Sequence, residues 1–309
     1  LERTSATLAD DRPTGLPGGP DRPPDDPPAA DEAPAEPPVT RILPSGGWRL
    51  VDFRELWRYR ELLFFLVWRD VKVRYRQTVL GVSWAVLQPV LMMAVFTVFF
   101  GRLAGLPSAG FPYPLFAIAG LLPWMFFAAA VSTAGTSVVG SERLITKIYF
   151  PRLAVPFAAV GVAAVDFVIA VGVLGVLMAC YGVWPGPWLL LAVPIAAVIG
   201  LAGLAFGTAL AALNVRYRDF RYVIPFLVQF WMFSTPTVYM QPPEDASGVM
   251  GVLMWANPMI GLVGGFRAAC LGLPIPWAQL AVSTTVVVVV ALLATAYFRR
   301  AEDDFADII

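Results

Sequence analysis

Charge is almost missing from long parts of this chain. Between Arg76 and Glu142 the only charged residue is Arg102, and between Arg152 and Arg216 the only one is Asp166. Lipid offers backbone groups no hydrogen bonds, so apolar runs of this length fold as helices that satisfy their own N–H and C=O groups. A hydrocarbon core about 30 Å thick takes about twenty residues per helix. The pattern therefore implies an all-α integral membrane protein. Composition agrees: 58 % of the 309 residues are hydrophobic and 14 % charged, against about a quarter charged in soluble domains.

The charge-free stretches predict six spans, at about residues 79–100, 115–139, 153–181, 188–213, 222–239 and 276–298. Gly182-Val183-Trp184-Pro185-Gly186-Pro187 divides the third from the fourth as a tight turn. From about Glu55 to Arg76, basic and aromatic residues flank the seven-residue apolar run Leu62–Trp68, too short to cross. An amphipathic helix in the membrane interface is expected there, with Trp and Tyr at headgroup depth and Arg snorkelling to phosphates. Residues 240–275 are apolar but rich in Gly, Pro and Asn. Short re-entrant or interfacial outer helices are expected there, because irregular backbone survives at depth only against protein or a cavity.

Six spans place eight of the ten Lys and Arg beyond residue 76 on one side: Arg143, Lys147, Arg152, Arg216, Arg218, Arg221, Arg299 and Arg300. Eight more lie between Arg49 and Arg76. The positive-inside rule then puts both termini in the cytoplasm. Residues 1–40 hold nine acids, three Arg and ten Pro, too little apolar surface to offset ordering entropy. Residues 1–47 are expected to be a disordered acidic tail, with 48–309 as the transmembrane domain. No cleaved signal peptide is expected.

Several chemistries are excluded. There is no His, and Cys180 and Cys270 lie ninety positions apart, which argues against metal clusters and Cys/His catalysis. The only lysines are Lys72 and Lys147, neither preceded by Gly, so the phosphate-cradling loop ending in Gly-Lys-Ser/Thr cannot occur.

Two charged islands interrupt the apolar sequence. Ser141–Arg152 is longer than a plain turn requires, and sets Leu144, Ile145 and Ile148 at helical spacing among charges. Such a short amphipathic helix docks apolar knobs into a partner's groove; a snorkelling interfacial loop would give the same pattern. The second island is Asn214–Arg221.

Several motifs in order carry a resemblance: Tyr75-Arg76-Gln77-Thr78-Val79-Leu80-Gly81 with Trp84 and Leu87-Gln88-Pro89; Gly120-Leu121-Leu122-Pro123-Trp124 with Phe126-Phe127; Leu144-Ile145-Thr146-Lys147 with Phe150-Pro151-Arg152; and Asn257-Pro258-Met259. Over about residues 48–298 the chain resembles the permeases of type-2 ABC exporters for cell-surface polysaccharides (O-antigen, capsule) and teichoic acids. The resemblance implies a homodimer in the bacterial cytoplasmic membrane, paired with separate ABC ATPase subunits that carry ATP and Mg. The permease itself then binds no cofactor and no nucleic acid. The cargo implied is a glycan on a polyprenyl pyrophosphate lipid.

The same resemblance gives Glu142, Arg143, Leu144, Ile145, Lys147, Phe150 and Arg152 the role of a coupling helix against the ATPase. It makes Arg216, Tyr217, Arg218 and Asp219 an accessory contact, and Asn257, Pro258 and Arg267 part of an exit gate. The acidic Pro-rich tail departs from the compact family N-terminus.

A sugar polymer presents apolar ring faces and hydroxyl edges, so a conduit for it needs aromatic faces and a few hydrogen-bonding groups. Tyr222, Phe226, Gln229 and Phe233 share one helical face, and Trp84, Gln88, Leu91, Val95 and Phe99 form a similar stripe. Glutamine is costly facing lipid, which turns these faces inward; ordinary helix packing would also account for them. Asp166, the one acid within a predicted span, is a proton carrier, a substrate contact or a structural partner for an Arg. Gly203 and Gly207 suit close helix approach inside the chain. A drug or antibiotic permease of the same superfamily shares the coupling elements. An ion-coupled transporter needs more intramembrane charges, and a membrane enzyme needs paired carboxylates or a metal cluster that the sequence lacks.

Overall fold

The computed structural model describes residues 57–76, 81–145, 147, 150–240, 251 and 255–308. The expected tail, residues 1–47, lies outside them. Among the described residues all regular structure is helical. Helix α1 is Arg60–Arg76, α2 Ser83–Phe96 with a π-helical continuation Thr97–Leu103, α3 Tyr113–Gly140, and α4 the single turn Glu142–Ile145. Then follow α5 Ala154–Cys180, a 3₁₀ turn Pro187–Leu191, α6 Ala192–Arg216, α7 Phe220–Phe233, α8 Pro258–Leu271 and α9 Trp277–Ile308.

Five helical stretches are long and apolar enough to cross a membrane: Ser83–Leu103, Tyr113–Gly140, Ala154–Cys180, Pro187–Arg216 and Trp277–Glu302. They fall on the first four and the sixth expected spans. The fifth, expected at 222–239, is instead the 14-residue α7, about 21 Å long at 1.5 Å per residue. It stops at Phe233 because Ser234-Thr235-Pro236 follows; proline lacks an N–H and pushes the preceding residue out of the helical region. Helix α8 is equally short, and every one of its residues is buried. It begins at Asn257-Pro258 and ends at Gly272, whose φ of 71° suits a glycine cap.

Helix α3 is the centre of the bundle, packed by α2, α5, α6, α7 and α8. Its crossing with α6 depends on small residues: a Cβ on Gly203 would meet Ala130 Cβ at 2.4 Å, and one on Gly207 would meet Ala134 Cβ at 2.5 Å. Both glycines therefore serve packing within the chain. Asn214 adds a hydrogen bond from Nδ2 to the Gly135 carbonyl at 3.2 Å. Phe127, Phe206 and Trp231 lock α3, α6 and α7 edge to face, with centroids 4.8–6.0 Å apart.

One end of the bundle is basic. There Val138, Leu153, Val215 and Phe298 share an apolar cluster, so the end of α3, the start of α5, the end of α6 and the late part of α9 meet. Both charged islands emerge beside this cluster.

Candidate functional site

Three regions hold the residues that the sequence singled out. The first is the basic end. Glu142, Arg143 and Lys147 are exposed, as are Arg216, Tyr217, Arg218 and Asp219, and the Arg216 guanidinium lies 5.7 Å from the centre of the Tyr217 ring. Leu144 packs on the cluster of Phe150, Ala154 and Val155, which Tyr59, Leu62 and Leu63 also join. Ile145 closes the turn of α4; Thr146, Ile148 and Tyr149 lie outside the described residues. Two residues of the expected coupling set pack against the chain itself. Phe150 is buried, and Arg152 donates from Nη1 to the Glu302 carbonyl at 2.5 Å and from its backbone N–H to Glu302 Oε1 at 3.4 Å. Together they brace the island on α1, α5 and α9.

The second region is a cavity of about 380 Å³ among α1, α2, α3, α5 and α7. Trp84 and Gln88 of α2 and Gln229 of α7 line it together, so the two predicted stripes converge on one space. Trp124 and Ser132 come from α3, and Arg74, Tyr75 and Asp166 also border it. The remaining stripe residues, Leu91, Val95, Phe99, Tyr222, Phe226 and Phe233, do not line it: each is at least half exposed. The cavity meets one edge of the α7 stripe, with Val228 and Met232 beside Gln229.

Asp166 is held from α1. Arg74 Nη1 lies 2.7 Å from Asp166 Oδ2, and the Tyr75 hydroxyl donates to Oδ1. Burial, this hydrogen bond and the carboxylate charge push the Tyr75 phenol up to about 12, so it remains a donor at neutral pH. A neutralised carboxylate with two partners fits a structural anchor better than a proton carrier.

The third region is the corner between α7 and α8. Asn257 Oδ1 accepts from Trp231 Nε1 at 2.9 Å and from the Met259 N–H at 3.0 Å, while Nδ2 donates to the Ser234 carbonyl at 3.1 Å and to Thr235 Oγ1 at 3.0 Å. That uses the full capacity of one amide. Pro258 follows in the first turn, where its missing N–H costs nothing. Arg267 is only 4 % exposed. It donates from Nη1 to the Tyr239 carbonyl at 3.3 Å and from Nη2 to the Pro236 carbonyl at 3.1 Å and to that of Thr237. Its guanidinium also lies 4.1 Å from the centre of the Phe116 ring. Gly120 makes room: a Cβ there would come within 2.0 Å of both Arg267 Nη2 and the Thr237 carbonyl oxygen.

The family model described as ABC-2 type transporter matches residues 61–271. The chain belongs to this family. It is a multi-pass membrane protein, and the five long apolar helices accord with that. Among curated relatives, it is similar to the O-antigen export system permease protein RfbA of Myxococcus xanthus, 32 % identical over 258 residues that cover 83 % of this chain and 98 % of the relative. It is also similar to the protein of the same name from Klebsiella pneumoniae, 24 % identical over 253 residues covering 81 % and 95 %.

In this family member, sequence reasoning missed Arg74 and Tyr75 as the partners of Asp166, and Trp124 and Ser132 as cavity walls. The signal for Arg74 was present in the basic run of α1, but no periodicity says which turn of that helix meets α5.

Proposed function

We propose that the chain is the membrane subunit of an ATP-driven exporter that moves a lipid-linked surface polysaccharide outward across the bacterial cytoplasmic membrane. The observation that carries this reading is the likeness, along 98 % of its length, to the Myxococcus permease named for O-antigen export. The cavity supports it chemically: indole faces from Trp84 and Trp124 and amide groups from Gln88 and Gln229 match the ring faces and hydroxyls of a sugar. The subunit is a transport component, and hydrolysis of ATP with Mg belongs to a separate ABC ATPase.

The basic end is the cytoplasmic face by the positive-inside rule, with both termini there. Two copies form the permease. Glu142, Arg143, Leu144, Ile145 and Lys147 meet the ATPase, seconded by Arg216, Tyr217, Arg218 and Asp219, while Phe150 and Arg152 stiffen the island from behind. Helices α7 and α8 do not cross singly; α7 rises from the basic end, and α8 returns as a short helix on the outer side, with Asn257, Pro258 and Arg267 fixing the gate. The aromatic face of α7, exposed in one protomer, lies along the path between the two copies.

The test is affinity purification of the tagged chain in mild detergent. A co-purifying ATPase whose turnover rises with lipid-linked glycan is expected. Stimulation by small drugs alone would indicate a drug exporter, and absence of any ATPase would remove the coupled mechanism.

A further inference from the structure

A second cavity, about 840 Å³, opens between α5 and α6, which each pack chiefly on α3. No charged residue and no Ser, Thr, Asn or Gln lines it. Its floor is an aromatic row: Phe126 stacks on Phe167 with centroids 4.8 Å apart, and Phe167 meets Phe266 at 5.7 Å. Small residues keep it open from both sides. Gly175 on α5 and Ala197 on α6 line it and are exposed, and a Cβ on Gly175 would touch nothing within 4 Å.

Tryptophan marks its depth in the membrane. Trp184, Trp188 and Trp277 are 85 %, 50 % and 54 % exposed, and all three sit opposite the basic end, in the α5–α6 connection and at the start of α9. Trp188 and Trp277 meet edge to face with centroids 5.8 Å apart. Exposed indoles at one level mark a membrane–water interface. Trp184 and Leu189 also line the cavity, so the groove between the two helices opens at this interface.

The two walls differ in length. Lining residues on α5 run from Phe157 to Ala179, but on α6 only from Ala192 to Gly200. Eight steps give the α6 wall about 12 Å at 1.5 Å per residue, close to the depth of one leaflet, about half of a 30 Å core. Below this level α6 closes on α3: a Cβ on Gly200 would come 3.2 Å from the Phe126 ring, and one on Gly203 2.4 Å from Ala130 Cβ. A transmembrane helix of another chain spans about twenty residues and would find both walls along only half of them. A lipid tail ends near the midplane and finds both walls along its whole length. Left empty, the groove would forfeit the dispersion contacts of its lining.

We propose that the α5–α6 groove is a binding site for one acyl chain of a bilayer phospholipid, drawn from the leaflet at the tryptophan end. The chain enters beside Trp184 and Leu189, and its methyl end rests on Phe126 and Phe167. An uncharged lining selects the chain and not the headgroup. On its way the chain passes Phe266 and Cys270 of α8, so the lipid completes the packing of the short helix that carries Arg267. The assignment rests on the membrane character of the family and is independent of the exported cargo.

The test reconstitutes the full chain in phosphatidylcholine nanodiscs with a trace of phosphatidylcholine that carries a diazirine in one tail, either next to the carboxyl group or at the terminal carbon. After irradiation, adducts are mapped by peptide mass spectrometry. Adducts in the groove are expected to exceed those at Ala281 and Thr285, exposed on α9 in the same leaflet, about tenfold, the ratio that 1.4 kcal/mol of preference gives. The carboxyl-end probe should mark Val183–Leu189, and the terminal probe Phe167 and Gly200. Gly175→Leu and Ala197→Leu, which fill the groove from opposite walls, should each lower groove adducts about tenfold by the same measure, while Ala281→Leu leaves them unchanged. A phosphatidylglycerol probe should give the same map. Equal labelling of groove and α9, the two probes marking the reverse order of depth, full labelling in both filled variants, a map that changes with the headgroup, or photocrosslinking of Val193 to a second copy would each overturn the assignment.

Discussion

Arg74 Nη1 stands 2.7 Å from Asp166 Oδ2, so the one acid within α5 is neutralised by the helix that precedes the first span. The pair ties α1 to α5 at the border of the cavity that Trp84, Gln88 and Gln229 line. The Arg74 side chain is 44 % and the Asp166 side chain 23 % exposed, and loss of the carboxylate also takes the acceptor from the partly buried Tyr75 hydroxyl. Asp166→Ala should destabilise the protein by about 1–3 kcal/mol, and adding Arg74→Ala should recover part of the loss. Thermal unfolding in detergent across the double-mutant cycle reads the coupling.

Tyr75 supplies a pH signature. Its phenol is raised from 10.0 to about 12. A group whose folded value is raised adds stability that is present below the unfolded value, and loses it as pH rises through the folded one. Stability from this phenol is therefore intact at neutral pH and falls between about 10 and 12. Alkaline difference spectroscopy should show a tyrosine that titrates at about 12 and is missing from Tyr75→Phe.

Gly120 and Gly203 are predicted to differ in their response to alanine. At Gly120 the new carbon would strike the Thr237 backbone and the clamped Arg267, each at 2.0 Å; at Gly203 it would meet one methyl at 2.4 Å. Overpacking of this kind costs about 1–3 kcal/mol, with Gly120→Ala the larger because backbone must move. Thermal shift of the two variants checks the order.

Asn257→Ala should cost about 1–3 kcal/mol, since it strips the partner from the Trp231 indole N–H and leaves it unsatisfied. Asn257→Asp keeps both acceptor contacts but loses the donations to Ser234 and Thr235, and should fall between wild type and alanine. The melting temperatures rank the three.

Most of the helix plan was legible because charge-free runs of membrane length are hard to misread. The fifth span was not. Residues 222–239 carry no charge, and the stop at Ser234-Thr235-Pro236 is a local backbone effect that a charge-free run does not reveal. The site was half legible. Gln88 and Gln229 betrayed an inward face because an amide in lipid is costly, and they do meet in one cavity. Phe226 and Phe233 share the stripe with Gln229 yet are exposed at the surface of the chain, since a stripe on a helix is wider than the edge that a cavity touches. Phe150 and Arg152 entered the expected coupling set through the family resemblance; their packing onto α5 and Glu302 is a tertiary contact that no local pattern encodes.

The most direct measurement of outward, ATP-driven export uses inverted membrane vesicles that contain the permease, its ATPase and lipid-linked glycan on the exposed cytoplasmic face. Addition of ATP should protect the glycan from an added glycosidase, and Trp84→Ala with Gln229→Ala should slow protection about tenfold, the effect of losing 1.4 kcal/mol in the transition state, while the ATPase stays bound. Glycan that remains fully digestible during ATP hydrolysis, or that is protected by a proton gradient without ATP, would contradict the account.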